Sequence, residues 1–272
     1  MIVVVDTGGT KTLVASFNNR GLLLKSTKFP TPKDTSEYIK ALKKVLADEY
    51  SDQPTSAIVI AVPGIVKDGV AILCPNLGWK NFNITHALRG VLNNAPIVVE
   101  NDANLAGLAE TRLLRTSPKQ SIYITISTGI GTGIITDGHI NPALKNSESG
   151  HMLLEHKGKL REWETFGSGR AIKKEYKMFA ADIRSKRAWN KIVKNMSKGF
   201  LVFIPVLQPD IIIIGGSIGT YFDRYADELK TVLKRNLPPY IPVPKIVQAK
   251  HPEQAVVYGG YYHALDTFGN KK

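Results

Sequence analysis

The chain has 272 residues, 43% of them hydrophobic, enough to bury one large core or two modest ones, which excludes a disordered or fibrous protein. Its one cysteine, Cys74, excludes an intramolecular disulfide and every multi-cysteine zinc or iron–sulfur arrangement, and suits a reducing compartment. The formal charge of +13 would suit a phosphate-rich partner, but Lys40, Lys43, Lys44, Lys173, Lys174 and Lys177 are spread as on solvated helix faces, so charge alone names no partner.

Met1 to Val5 is a short apolar run broken by Asp6, with no basic segment before it and no cleavage-like site, so a cytoplasmic protein is expected. No apolar stretch approaches the roughly 20 residues that span a bilayer, so no membrane partner is expected. The first third reads as a strand from Ile2 to Val5, a turn at Gly8 and Gly9, and strands at Thr12 to Phe17 and Leu22 to Thr27. A helix from Ser36 to Glu49 follows, with Ser36 as its cap, then the strand Ala57 to Val62, a helix near Thr85 to Asn93 and the strand Ile97 to Glu100. The order then repeats in layout: strand Ser121 to Ser127, a glycine-rich turn, strand Gly133 to Thr136, helices, and strand Ile211 to Ile214. Two α/β domains are predicted, residues 1–107 and 108–253, with a helix at 254–268 returning to the first.

Asp6-Thr7-Gly8-Gly9-Thr10-Lys11 follows a strand, where two glycines let the backbone approach an anion. Asp6 beside it could hold magnesium, directly or through water, although a plain hairpin turn would read the same way. Ser127-Thr128-Gly129-Ile130-Gly131-Thr132-Gly133 offers a second set of backbone donors; a strand follows it where a dinucleotide fingerprint needs a helix. Gly215-Gly216-Ser217, after the Ile211 to Ile214 strand, would leave room for an adenosine. Asn101-Asp102-Ala103-Asn104 stands at the C-terminal end of a strand, where Asp102 could accept a hydroxyl proton and Asn101 could bind hydroxyls, or where the pair could simply cap a helix. Glu148 and His151, with Glu164, pair acceptors and an imidazole suited to hydroxyl groups, and are equally at home as surface residues. Pro75-Asn76-Leu77-Gly78-Trp79 is a turn with an amide; Trp79 is expected in the core.

Together these segments resemble the ROK family of sugar kinases and sugar-responsive repressors, within the hexokinase, actin and Hsp70-like superfamily. The resemblance implies two ribonuclease H-like domains of the actin-like ATPase fold around a central cleft. It implies Asp6, Gly8, Gly9, Thr10 and Lys11 as a first phosphate loop, Thr128, Gly129, Gly131 and Thr132 in a second, and Gly215, Gly216 and Ser217 at the adenosine. Asp102 would be the catalytic base, with Asn76, Asn101, Glu148, His151 and Glu164 on the sugar, and ATP with Mg2+ as the donor.

Most family members carry a Cys-x-Cys-Gly-x-x-Gly-Cys zinc element, and here Glu155, Lys157 and Glu162 stand at the aligned cysteine positions, so no zinc is expected. The Asn76 turn is similar to the stretch in the family's glucokinases and implies glucose, phosphorylated to glucose 6-phosphate in glycolysis. The alternatives are fructose, mannose or an N-acetylhexosamine as acceptor, or a non-catalytic sugar sensor. Family repressors carry a DNA-reading domain ahead of the first loop, for which this sequence leaves no room, so no nucleic acid is expected. Polyphosphate is a possible donor beside ATP, and a homodimer is expected from the family.

Overall fold

The protein is described by a computed structural model covering residues 1–251 and 254–269. It divides into two compact units, Met1–Ala109 with the chain from Gln254 on, and Glu110–Glu253.

In the first unit, β1 (Ile2–Thr7), β2 (Lys11–Phe17) and β3 (Leu23–Pro30) form an antiparallel meander. Helix α1 (Thr35–Tyr50) leads to β4 (Ala57–Val62), which pairs parallel to β1. A small antiparallel sheet of β5 (Ile65–Lys67), β6 (Val70–Cys74) and β7 (Trp79–Asn83) follows, then the short α2 (Ile84–Ala87). Next come β8 (Ile97–Asn101), parallel to β4, and α3 (Asp102–Arg112). The main sheet runs β3-β2-β1-β4-β8. Every residue of β4 is buried, as a central strand covered on both faces requires. One face takes Tyr38, Leu42, Leu46 and Tyr50 of α1, spaced four apart so that they form a single stripe over Val3, Val5, Ile58 and Ile60. Burying each such side chain contributes roughly 1.5–3 kcal/mol.

Two local expectations change. The cap of α1 is Asp34 instead of Ser36, because the Asp34 carboxylate accepts from the backbone N–H groups of Ser36 and Glu37. The helix expected near Thr85 to Asn93 stops at Ala87 with Leu88 as its cap; Gly90 beyond it takes φ +86, and Leu92, Asn93 and Asn94 also take positive φ, so no helix resumes.

The second unit contains β9 (Gln120–Ile126), β10 (Ile130–Thr136) and β11 (His139–Ile140) as another meander. A hairpin of β12 (Leu153–His156) and β13 (Lys159–Glu162) leads to α4 (Glu164–Gly167), α5 (Gly169–Tyr176) and the long α6 (Lys186–Leu207). Then follow β14 (Ile211–Gly215), α7 (Gly216–Gly219), α8 (Ala226–Asn236) and β15 (Lys245–Gln248). Its sheet runs β11-β10-β9-β14-β15, with β9, β14 and β15 parallel, so the two main sheets share one strand order and one pattern of sense. The core is α6 laid on the sheet through Trp189, Ile192, Val193, Met196 and Phe200, with Trp163 packed beside it.

The C-terminal helix α9 (Ala255–Phe268) belongs to the first unit and covers the second face of its sheet. It lies so close that a Cβ on Gly260 would come 2.3 Å from Val4 Cγ1. Among the described residues no helix is long and apolar enough to cross a membrane.

Candidate active site

In the first unit the β1–β2 turn is closed by Gly8 N–H donating to Lys11 O at 3.0 Å, and Thr10 O accepts from Thr31 N at 3.0 Å. Gly8 and Gly9 are half-buried, while Thr10 and Lys11 are exposed. Asp6, one residue from the end of β1, has no hydrogen-bond donor on its carboxylate among the described residues. Burial pushes it up to about 6, with Lys28 pulling less strongly the other way. A hard, unpartnered carboxylate beside a turn of backbone donors fits a magnesium ion carried on a phosphate.

Of the readings that the sequence left open for Asn101 and Asp102, the helix cap is present at Asn101. Asn101 is a helix cap: its Oδ1 accepts from Ala103 N at 2.8 Å and Asn104 N at 3.2 Å, while its Nδ2 donates to Gly64 O at 3.0 Å. Asp102, partly exposed, opens α3 and accepts from Ala103 N at 2.8 Å. Behind it the buried Glu100 accepts from Asn101 N at 2.8 Å and Asn104 Nδ2 at 2.9 Å, fixing the turn. The strand register aligns Asp6 with Ala61 and Ala61 with Glu100. Two interstrand spacings, about 10 Å, therefore separate the end of β1, with its glycine turn, from the strand that delivers Asp102. Both stand at the C-terminal edge of parallel strands, where open α/β sheets bind ligands.

Asn76 sits exposed in the β6–β7 turn, which Leu77 N and Gly78 N close onto Cys74 O, and a Cβ on Gly9 would lie 3.9 Å from Asn76 Cβ. Trp79 is buried and packs on Tyr38 and Phe82, the core placement expected of it.

In the second unit Glu148 precedes a short 3-10 turn, Ser149–His151, in which His151 N donates to Glu148 O at 3.0 Å. The glycine is obligatory here, because a Cβ on Gly150 would stand 2.3 Å from Ile130 O. Burial raises the Glu148 carboxyl above the ordinary range; His151 lowers it and Glu164 raises it to lesser degrees. The Glu164 carboxylate accepts from Ile130 N at 3.3 Å and lies against Gly129, so the second glycine turn and the acid touch. The Thr132 hydroxyl is buried and bonded to Ser149 Oγ at 2.7 Å, which ties the second glycine turn to the Glu148 loop.

His151 Nδ1 meets Glu162 Oε2 at 3.4 Å, and ligand-type atoms of His151, Glu162 and Glu164 all lie within 4.8 Å of one another. This imidazole and two carboxylates form a group that could hold a metal ion with nitrogen and oxygen ligands and no thiolate. His156 of that hairpin stacks on Phe166 at 4.3 Å.

Register also aligns Gly131, Thr125 and Gly215 across β10, β9 and β14, placing the second glycine turn beside Gly215-Gly216-Ser217. Gly216 has φ +74, and a Cβ there would meet Ile126 O at 2.6 Å. Between these turns opens a cavity of about 440 Å³, lined by Thr128, Ser217, Arg170, Lys173, Phe179 and Tyr221 among others, within the usual range for a small-molecule pocket. Sequence reading missed the last four. Arg170 and Lys173 lie just after Ser168-Gly169 and Tyr221 just after Gly219, while Phe179 had no such neighbour in the sequence.

A model of the ROK family matches residues 2–267. The chain belongs to the ROK family. The N-acetylmannosamine kinase of Yersinia pestis (strain Pestoides F) is 26% identical over 261 residues, covering 85% of this chain and 88% of that protein. The polyphosphate glucokinase of Mycobacterium leprae (strain TN) is 30% identical over 175 residues, 63% of this chain and 49% of that protein. Among solved structures, a ROK family glucokinase from Streptomyces griseus in complex with glucose and AMPPNP aligns with a TM-score of 0.79 at 20% identity, covering 97% of this chain and 99% of that one. At that identity the likeness is one of fold, the two-domain actin-like fold of ROK sugar kinases.

Proposed function

We propose that this ROK protein is an ATP-dependent hexose kinase, with glucose as the first acceptor to test and glucose 6-phosphate as its product. The observation that carries the reading is the register of the first sheet, which puts the unpartnered Asp6 and its glycine turn on the same edge as Asp102. In this mechanism Asp102 takes the proton of a sugar hydroxyl as its oxygen bonds to the γ-phosphorus, and the bond from that phosphorus to the bridging oxygen breaks to release ADP. Magnesium, when bound through Asp6, would neutralise phosphate charge. Asn76 and the second Asn101 Nδ2 hydrogen, and likewise Glu148, His151 and Glu164, are polar groups suited to sugar hydroxyls. Gly8 to Lys11 and Thr128 to Gly131 hold phosphates, and the cavity beside Gly215 to Ser217 takes the adenosine.

A coupled assay of ADP release over glucose, mannose, fructose and N-acetylmannosamine tests the reading; no sugar-dependent ADP from any of them would reject it. A second reading, polyphosphate as an additional donor, is favoured by one feature. Arg170 and Lys173 at the cavity are followed by exposed Lys174, Lys177, Arg184, Lys186 and Arg187, a cationic run that a polyanion could follow. Replacing ATP by polyphosphate in a glucose 6-phosphate assay decides it.

A further inference from the structure

The side chain of Lys33 stands outside every motif of the sequence, on the segment between β3 and α1. Its ammonium donates to Gly9 O at 2.8 Å and to Asn76 O at 2.7 Å, while its own carbonyl accepts from Trp79 Nε1 at 2.8 Å. One residue therefore bonds the phosphate turn, the turn bearing Asn76 and the tryptophan that roots that turn in the core. Its partners are unusual for a lysine with this much exposure. No carboxylate lies within ion-pair distance among the described residues, so the charge is met only by two carbonyl dipoles on loops 67 residues apart in sequence (residues 9 and 76). Fixing a long, flexible side chain in this way runs against its rotamer entropy, and exposed lysines generally stay mobile.

We propose that Lys33 is a positioning residue that locks the Asn76 turn to the first phosphate turn, so that donor phosphate and acceptor are held as one constellation. The inference rests on the kinase reading for its kinetic consequence but not for its structural one. Gly9 contributes backbone to the phosphate turn and Asn76 an amide to the acceptor, and neither turn is joined to the other by any ladder hydrogen bond of the sheets. Without the ammonium each turn keeps its own closing bonds and loses its distance from the other.

The test uses Lys33→Cys, which is selective because the natural Cys74 is buried. Aminoethylation of the introduced thiol restores an ammonium at nearly lysine length. Amide hydrogen exchange in segments 8–11 and 75–79 is expected to rise together in Lys33→Cys and to fall back after aminoethylation. With the best acceptor, kcat/KM is expected to drop about 10- to 100-fold, the scale of a small misplacement of reacting groups, and to recover with the ammonium. Unchanged exchange in both segments, or a rise in only one, would overturn the proposal. So would a kinetic loss that aminoethylation fails to reverse in protein of unchanged melting temperature. Should Lys33→Cys not fold, Lys33→Arg provides the reading: matched exchange in the two segments supports the tie, and independent exchange overturns it. A wild-type protein without kinase activity would reject the functional reading while leaving the exchange experiment intact.

Discussion

Asp6→Asn should make the protein more stable at neutral pH while removing its kinase activity. The Asp6 carboxyl has an ordinary value of 3.8 and is raised by burial to about 6 in the folded chain. Between those values the folded state holds a proton that the unfolded chain has lost, so stability falls as pH rises through about 4 to 6 and stays lowered above. A displacement of about two pH units corresponds to about 3 kcal/mol. Asparagine is neutral at every pH and has nearly the same shape, so it escapes that cost. Urea unfolding in metal-free buffer should show the variant ahead by up to about 3 kcal/mol near pH 8, with the gap closing below about pH 4, where the Asp6 carboxyl is protonated in the folded and the unfolded chain alike. Magnesium with a non-hydrolysable nucleotide should raise the wild-type midpoint and barely move that of the variant. Equal midpoints near pH 8, or a gain of the same size at all pH values, would refute the argument that an unpartnered, desolvated charge is stored beside the phosphate turn.

Other outcomes follow from the same geometry. Asp102→Asn should lower kcat by about 10² or more while leaving sugar affinity, read by calorimetry, near wild type. Asn101→Ala should lose stability as well as activity, by about 1 kcal/mol for the lost α3 cap, measurable as a shift in urea midpoint. Gly150→Ala should raise the sugar KM and destabilise the second unit by about 1–3 kcal/mol, since its methyl has to displace the Ile130 carbonyl. Because burial raises the Glu148 carboxyl, that group protonates at a higher pH than an exposed glutamate; sugar affinity should weaken on acidification earlier than ordinary glutamate titration would give, and Glu148→Gln should remove that part of the pH profile.

Much of the candidate site was legible because the chemistry proposed for it is local. Glycines next to a strand end, an Asn-Asp pair after another and a Glu-x-Gly-His run each declare themselves within a few residues, and Gly150 turned out to be demanded by a backbone contact in the folded chain. Lys33, Lys173, Phe179 and Tyr221 were not legible, since nothing in their neighbours distinguishes them from ordinary surface residues. Local competition also misled: Asp34 displaced Ser36 as the α1 cap by reaching two N–H groups.

The residues alone determined the strand periods, the two glycine turns, the candidate base and the exclusion of an intramolecular disulfide, because each depends on side-chain type and short spacing. Only the tertiary structure decided that Asp6 and Asp102 share a sheet edge, that Glu164 rests on Gly129, and that Lys33 spans two loops. Those facts depend on strand order and register, which arise from pairing between segments far apart in the chain, and no window of sequence contains them.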